Sequence, residues 1–85
     1  MIKPTIHLNG TSASDLVEQY RAAHEAVEAA IKALGNATPN GRDYYPQGNS
    51  AIGIALDAHR VRIAAMEIVS QEMLELAMHC QEFVK

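Results

Sequence analysis

Apolar side chains at Leu16, Tyr20, Ala23, Val27, Ala30 and Leu34 recur at alternating steps of four and three residues, which stacks them along one face of a helix. Ser12, followed three positions later by Asp15, fits a capping box with Asp in place of the usual Glu. Gly35 with Asn36 behind it is the natural stop. The pattern predicts a first helix over 12–34. A longer run of the same period follows, through Ile52, Leu56, His59, Ile63, Met66, Ser70, Met73, Ala77, Cys80 and Val84. Asn49 or Ser50 can cap it, and after Gly53 neither Pro nor Gly interrupts it, so a second helix is expected over 49–84.

The rest of the chain breaks this period. Thr5 to Leu8 alternate polar and apolar behind Pro4, which reads as a short extended arm over 1–11 with a turn at Asn9-Gly10. Residues 35–48 carry two prolines, Gly41, Gly48 and an Asn-Gly pair, and form a loop. Helix connections in bundles usually take about 2–8 residues, and longer ones tend to be functional or disordered.

The fold expected from these elements is all-α: an antiparallel helical hairpin with a short extended N-terminal arm. The second helix is the longer, ~50 Å against ~33 Å at 1.5 Å per residue. In such a hairpin Met73, Leu74, Leu76, Met78 and Phe83 are expected to overhang, with Ile2, Ile6 and Leu8 of the arm folding over them. The second helix also carries another apolar seam, Ile54, Ala58, Val61, Ala65, Ile68 and Leu76. One short partner helix can cover only one of the two seams. The surplus predicts a homo-oligomer, because exposed patches of this kind usually mark an interface.

Composition supports that picture. With 85 residues the chain holds one domain and a thin core of its own. Hydrophobic residues make up 48% but aromatics only 5%, and fourteen residues are alanine, so the apolar content consists of small side chains suited to close helix packing. A net charge of −3 argues against gripping long nucleic acid, though a small anionic ligand needs only a few local cations. Cys80 is the single cysteine, which excludes an intrachain disulfide and reads as packing. No apolar stretch has the length of a signal peptide core or a membrane span, so the expected place is the cytoplasm, away from membranes.

The loop and the helix start behind it carry the strongest chemical signal. Arg42 offers a planar fork of donors for phosphate, Tyr44 and Tyr45 offer flat faces for base stacking, and Gln47, Asn49 and Ser50 border a helix N-terminus with free backbone N–H groups. Small residues at Ala51, Gly53 and Ala55 leave room for close approach, and Arg60 and Arg62 can reach across from a neighbouring copy. A purely structural reading stands beside this one: the tyrosines plug the open end of the hairpin, and Arg42 pairs with Asp43 or the end of the first helix. Histidines 7, 24, 59 and 79 have no metal-ligand spacing, and His24-Glu25 with Glu28 gives HExxE where a zincin needs HExxH. His59 reads as a hydrogen-bonded core histidine, with His24 and His79 partly exposed. Glu25 with Glu28 and Glu72 with Glu75 are carboxylate pairs of a kind that hold magnesium in all-α nucleotide pyrophosphatases, although such pairs are common on solvated faces. No catalytic residues, metal site or cofactor are expected. Arg21 with Glu25 and Glu28 with Lys32 have the spacing of i,i+4 ion pairs.

The opening IHLNGTSASDL, the loop NGRDYYPQG and the following AxxxHRxR resemble a group of short phage and prophage helical proteins over nearly the whole chain. In size, arm, hairpin and multi-subunit design the chain also resembles phage anti-defence sponges of the anti-CBASS and anti-Thoeris kind. That resemblance implies a non-catalytic oligomer in an infected bacterium, binding a cyclic oligonucleotide or a cyclic ADP-ribose-type signal. The binding residues of those sponges do not align one by one with this chain, so Arg42, Tyr44 and Tyr45 are assigned from their chemistry. A phage structural or regulatory protein-interaction module is the alternative, and a magnesium-dependent pyrophosphatase a third.

Overall fold

In a computed structural model that describes all 85 residues, the chain forms two α-helices and no strand. α1 spans Ala13–Asn36 and α2 spans Ala51–Gln81. They lie antiparallel in a rod of 61 × 20 × 17 Å. Ser12 caps α1 from an extended backbone, its Oγ accepting the Asp15 N–H at 3.1 Å. Only this half of the capping box forms, and the Asp15 carboxylate serves the positive end of the helix instead.

The other boundaries move from their expected places. Gly35 lies inside α1 without a positive φ, so it is not the stop. Termination falls to Thr38, whose N–H and Oγ1 both donate to the Gly35 carbonyl, at 3.3 and 2.6 Å. Ala37 N–H is shared between the carbonyls of Ala33 and Leu34, and Pro39 cannot extend the ladder. Neither Asn49 nor Ser50 caps α2 through its side chain. α2 ends at Gln81 in two turns that close on the Cys80 and Gln81 carbonyls, which leaves Val84 outside.

The first apolar seam of each helix faces the other. All six expected α1 positions are at least half-buried, as are the α2 positions from Ile52 to Cys80. Three histidines tie the segments together, each donating a ring N–H to a main-chain carbonyl on another element. His59 Nε2 reaches Leu34 O at 2.7 Å, near the carboxyl end of α1 where carbonyls lack helical partners. His24 Nδ1 reaches Ser70 O at 3.0 Å, and His79 Nε2 reaches Pro4 O at 2.8 Å. His59 is buried and the other two are half-buried. The expected ion pairs Arg21–Glu25 and Glu28–Lys32 do not close, and Glu28 lies 3.7 Å from His24 Nε2 instead.

These bonds set the register and reverse the expected overhang. With Leu34 beside His59 and His24 beside Ser70, Ala13 comes level with the last turn of α2. Burial agrees: Ala13, Val17, Leu76, Ala77 and Cys80 are the buried apolar residues. Met73 and Leu74 are half-buried while Met78 and Phe83 stay exposed, and the extra length of α2 lies in its first two turns, beside the loop. Residues 1–7 have no regular secondary structure, and a turn closes from Gly10 N–H to His7 O. Pro4 and Ile6 are half-buried against the end of the hairpin, whereas Ile2 and Leu8 stand in solvent.

Cys80 is fully inaccessible, and burial raises its thiol above the ordinary value of 9.0. A group that holds its proton more tightly when folded contributes stability that is complete below its unfolded value and fades as pH rises through the folded one. The folded protein should resist alkylation at pH 8 and react fully in denaturant. Its urea midpoint should fall as the solution is taken above pH 9. Rapid alkylation of the native protein would place Cys80 at the surface.

Candidate functional site

The bend between the helices is built from short hydrogen-bonded turns. Asn40 Oδ1 accepts the Arg42 N–H at 3.1 Å and opens a 3-10 turn over Gly41–Asp43. A second 3-10 turn covers Tyr45–Gln47, with Pro46 in its first positions, where a missing N–H costs nothing. Gly48 has φ 112° and ψ 164°, a conformation available in practice only to glycine, and is the sole residue with positive φ. Gly48→Ala should cost about 1–3 kcal/mol, read as a lowered urea midpoint with unchanged slope. Open space around its Cα means that no side-chain clash would add to the strain.

The two tyrosines diverge. Tyr44 is half-buried, as a plug on the hairpin would be, whereas Tyr45 is 75% exposed and displays its ring. Arg42 is exposed and forms no ion pair with Asp43 and no side-chain bond to the end of α1, so its guanidinium is free. Gln47, Asn49 and Ser50 are exposed further along the same bend. The N–H groups of Ile52 and Gly53 in the first turn of α2 have no acceptor in the chain, and no acidic side chain balances that turn. Arg60 binds Asp57 at 3.0 Å on the surface, and Arg62 stands exposed and unpaired.

Four concavities mark the surface, and none of these eight residues lines one within a single chain. The largest, about 370 Å³, is bordered by His24, Glu28, Ile31, Glu67, Ser70, Gln71 and Leu74. Ser70 Oγ lies 3.2 Å from His24 Nδ1, which suggests a serine–histidine pair. The pairing has the wrong polarity for that. The same Nδ1 points at a carbonyl that can only accept, so it carries the ring proton and cannot take one from Ser70. Glu25, Glu28, Glu72 and Glu75 do not converge, and no group of three or more His, Cys, Asp or Glu side chains could hold a metal ion.

The roles of His24 and His79 as ties between segments were not foreseen from the sequence. The available signal was position: His24 follows the seam residue Ala23, and His79 precedes Cys80. Neither helix is long and apolar enough to cross a membrane. No protein-family model matches the chain, and neither a curated protein nor a solved structure shows significant similarity to it.

Proposed function

We propose that this chain is a phage-encoded anti-defence sponge, a non-catalytic homo-oligomer that sequesters a cyclic oligonucleotide or a cyclic ADP-ribose-type signal in the cytoplasm of an infected bacterium. One observation carries the reading. A free guanidinium at Arg42 and an exposed ring at Tyr45 stand three residues apart on a bend whose backbone is pinned by its own hydrogen bonds. A floppy loop would lose much of its contact energy to ordering, and a pinned one avoids that cost. Arg42 is assigned to phosphate and Tyr45 to stacking on a base, with Tyr44 positioning the bend and Gln47, Asn49 and Ser50 bordering the ligand. Because these residues form no pocket in one chain, the rest of the site comes from a neighbouring copy, to which Arg60 or Arg62 belongs.

Thermal unfolding against a panel of cyclic dinucleotides, cyclic trinucleotides and ADP-ribose derivatives tests the proposal, since a ligand that binds only the folded form raises the melting temperature. A shift with intact ligand recovered afterwards is the expected result. No shift with any of them in large excess sinks the sponge reading, and a magnesium-dependent product replaces it with an enzyme. Arg42→Ala should weaken the responding ligand roughly 10- to 100-fold, the loss of a charge-assisted phosphate bond. Tyr45→Ala should cost about 1–3 kcal/mol of binding through lost stacking. Both side chains are exposed, so the unfolding curves without ligand should match wild type.

A further inference from the structure

α2 is apolar on two opposite faces, and α1 covers one of them. The other carries Ile54, Val61 and Ile68, exposed by 68, 70 and 63%, at intervals of seven residues, with Ala58 and Ala65 between them. A period of 3.5 residues keeps a stripe facing one partner helix along its length, which a straight α-helix of 3.6 would not do. Nothing within the chain uses that regularity. The small alanines between branched residues allow a second helix to approach closely.

We propose that a second copy of this chain covers the stripe, with the two α2 helices antiparallel and a two-fold axis close to Val61. Ile54 and Ile68 are equally distant from Val61, so the axis sets Ile54 of one copy beside Ile68 of the other. Such a contact is self-complementary and closes as a dimer. Charge selects this direction over the parallel one. Beyond Arg62 the charges of α2 are all acidic, with Glu72 and Glu75 standing where the stripe would continue. Its first half carries Arg60 and Arg62 against Asp57, together with the unbalanced N-terminal turn. Antiparallel pairing lays the acidic half against the other copy's first half, bringing Glu72 level with Ser50 at the amino end, where negative charge is stabilising.

Parallel pairing would stack Glu72 on its own copy within the seam, and Glu75 likewise. Its compensation is an Asp57–Arg62 pair on each rim, and exposed rim pairs contribute little. The antiparallel form brings Arg62 near its own copy, but those exposed guanidinium groups can splay into water. The inference rests on the assembly part of the proposed function and not on its ligand. It deepens that reading in one respect. With Glu72 beside the first turn of the other copy's α2, phosphate recognition falls to Arg42 rather than to that turn. Arg60 and Arg62 lie near the two-fold axis, about 15–18 Å along the helix from Ser50, and reach the bend only from a copy on another face.

Single cysteines at exposed stripe positions test the geometry without any ligand, wild type serving as the control for buried Cys80. Val61→Cys should give a disulfide-linked homodimer on mild oxidation. Ile54→Cys should not, because the two Ile54 positions are separated by about 21 Å along the helices, three times the reach of a disulfide. A mixture of Ile54→Cys and size-tagged Ile68→Cys should yield the mixed disulfide. Efficient homodimers of Ile54→Cys without the mixed product would overturn the proposal in favour of parallel pairing. A single-chain mass for wild type by light scattering at high concentration would remove it altogether. A negative ligand screen beside the expected cross-links would remove the sponge reading and leave the pairing intact.

Discussion

Leu76→Ala is expected to lower the stability of the hairpin by about 2–4 kcal/mol, the cost of deleting three buried carbons and leaving part of their cavity. Leu76 is 8% exposed, and it sits one turn before His79 on the same face, where the bond to Pro4 holds the N-terminal segment. Only 7 of 85 residues are buried, so the reserve against such a loss is small. The melting temperature should fall by roughly 10–25 °C, at about 4–8 °C per kcal/mol for a chain of this size. Ile68→Ala is the contrast, since that side chain is 63% exposed and its removal leaves no cavity within one copy. Measured at concentrations low enough to keep the chains apart, the two variants should differ by most of the Leu76 effect. If Leu76→Ala lowers the melting temperature by no more than about 3 °C, the packing around the end of α2 is not as described.

The helices were legible because their seams repeat without a break. Six positions in α1 and nine in α2 carry the period, and each faces the other helix as a 3.6-residue pattern requires. Ser12 was legible too, since an N-cap needs only one oxygen at one position. The end of α1 was not. Gly35 offers a positive φ but does not compel one, and the Thr38 bonds to its carbonyl let the helix run two residues closer to Pro39. Register is less legible still. A hairpin of unequal helices can place its surplus at either end with the same faces buried, so periodicity alone does not choose between them. His59 to Leu34 and His24 to Ser70 decide the matter, and both bonds end on main-chain carbonyls that leave no mark in the sequence.

The same limit applies to the loop. Side-chain chemistry singles out Arg42, Tyr44 and Tyr45, and the structure separates the two tyrosines by burial, which adjacent positions in a sequence cannot reveal. A site completed by a neighbouring copy leaves still less trace, because its parts lie on surfaces that one chain presents as ordinary solvent-exposed ground. The apolar stripe on α2 is the exception. Its seven-residue interval is visible in the sequence, and its exposure in the folded chain shows that α1 does not satisfy it.

Val61→Glu follows from that exposure, and its effect should fall on assembly while sparing the fold. Val61 is 70% exposed in one copy, so a carboxylate there costs the isolated hairpin almost nothing. Across a two-fold axis near Val61 the substitution is made twice, and two like charges meet at the centre of an apolar seam. Association should weaken by at least about 100-fold, close to 3 kcal/mol, with helical content unchanged. The readout is the melting temperature as a function of concentration. Wild type should melt higher as concentration rises, because assembly draws on the folded state alone, and Val61→Glu should melt at one temperature throughout. Leu76→Ala behaves in the opposite way, losing stability at every concentration while keeping the concentration dependence of its assembly. If Val61→Glu retains the wild-type mass and concentration dependence, the copies meet on some other surface. The stripe on α2 would then be an exposed apolar face with no part in self-association.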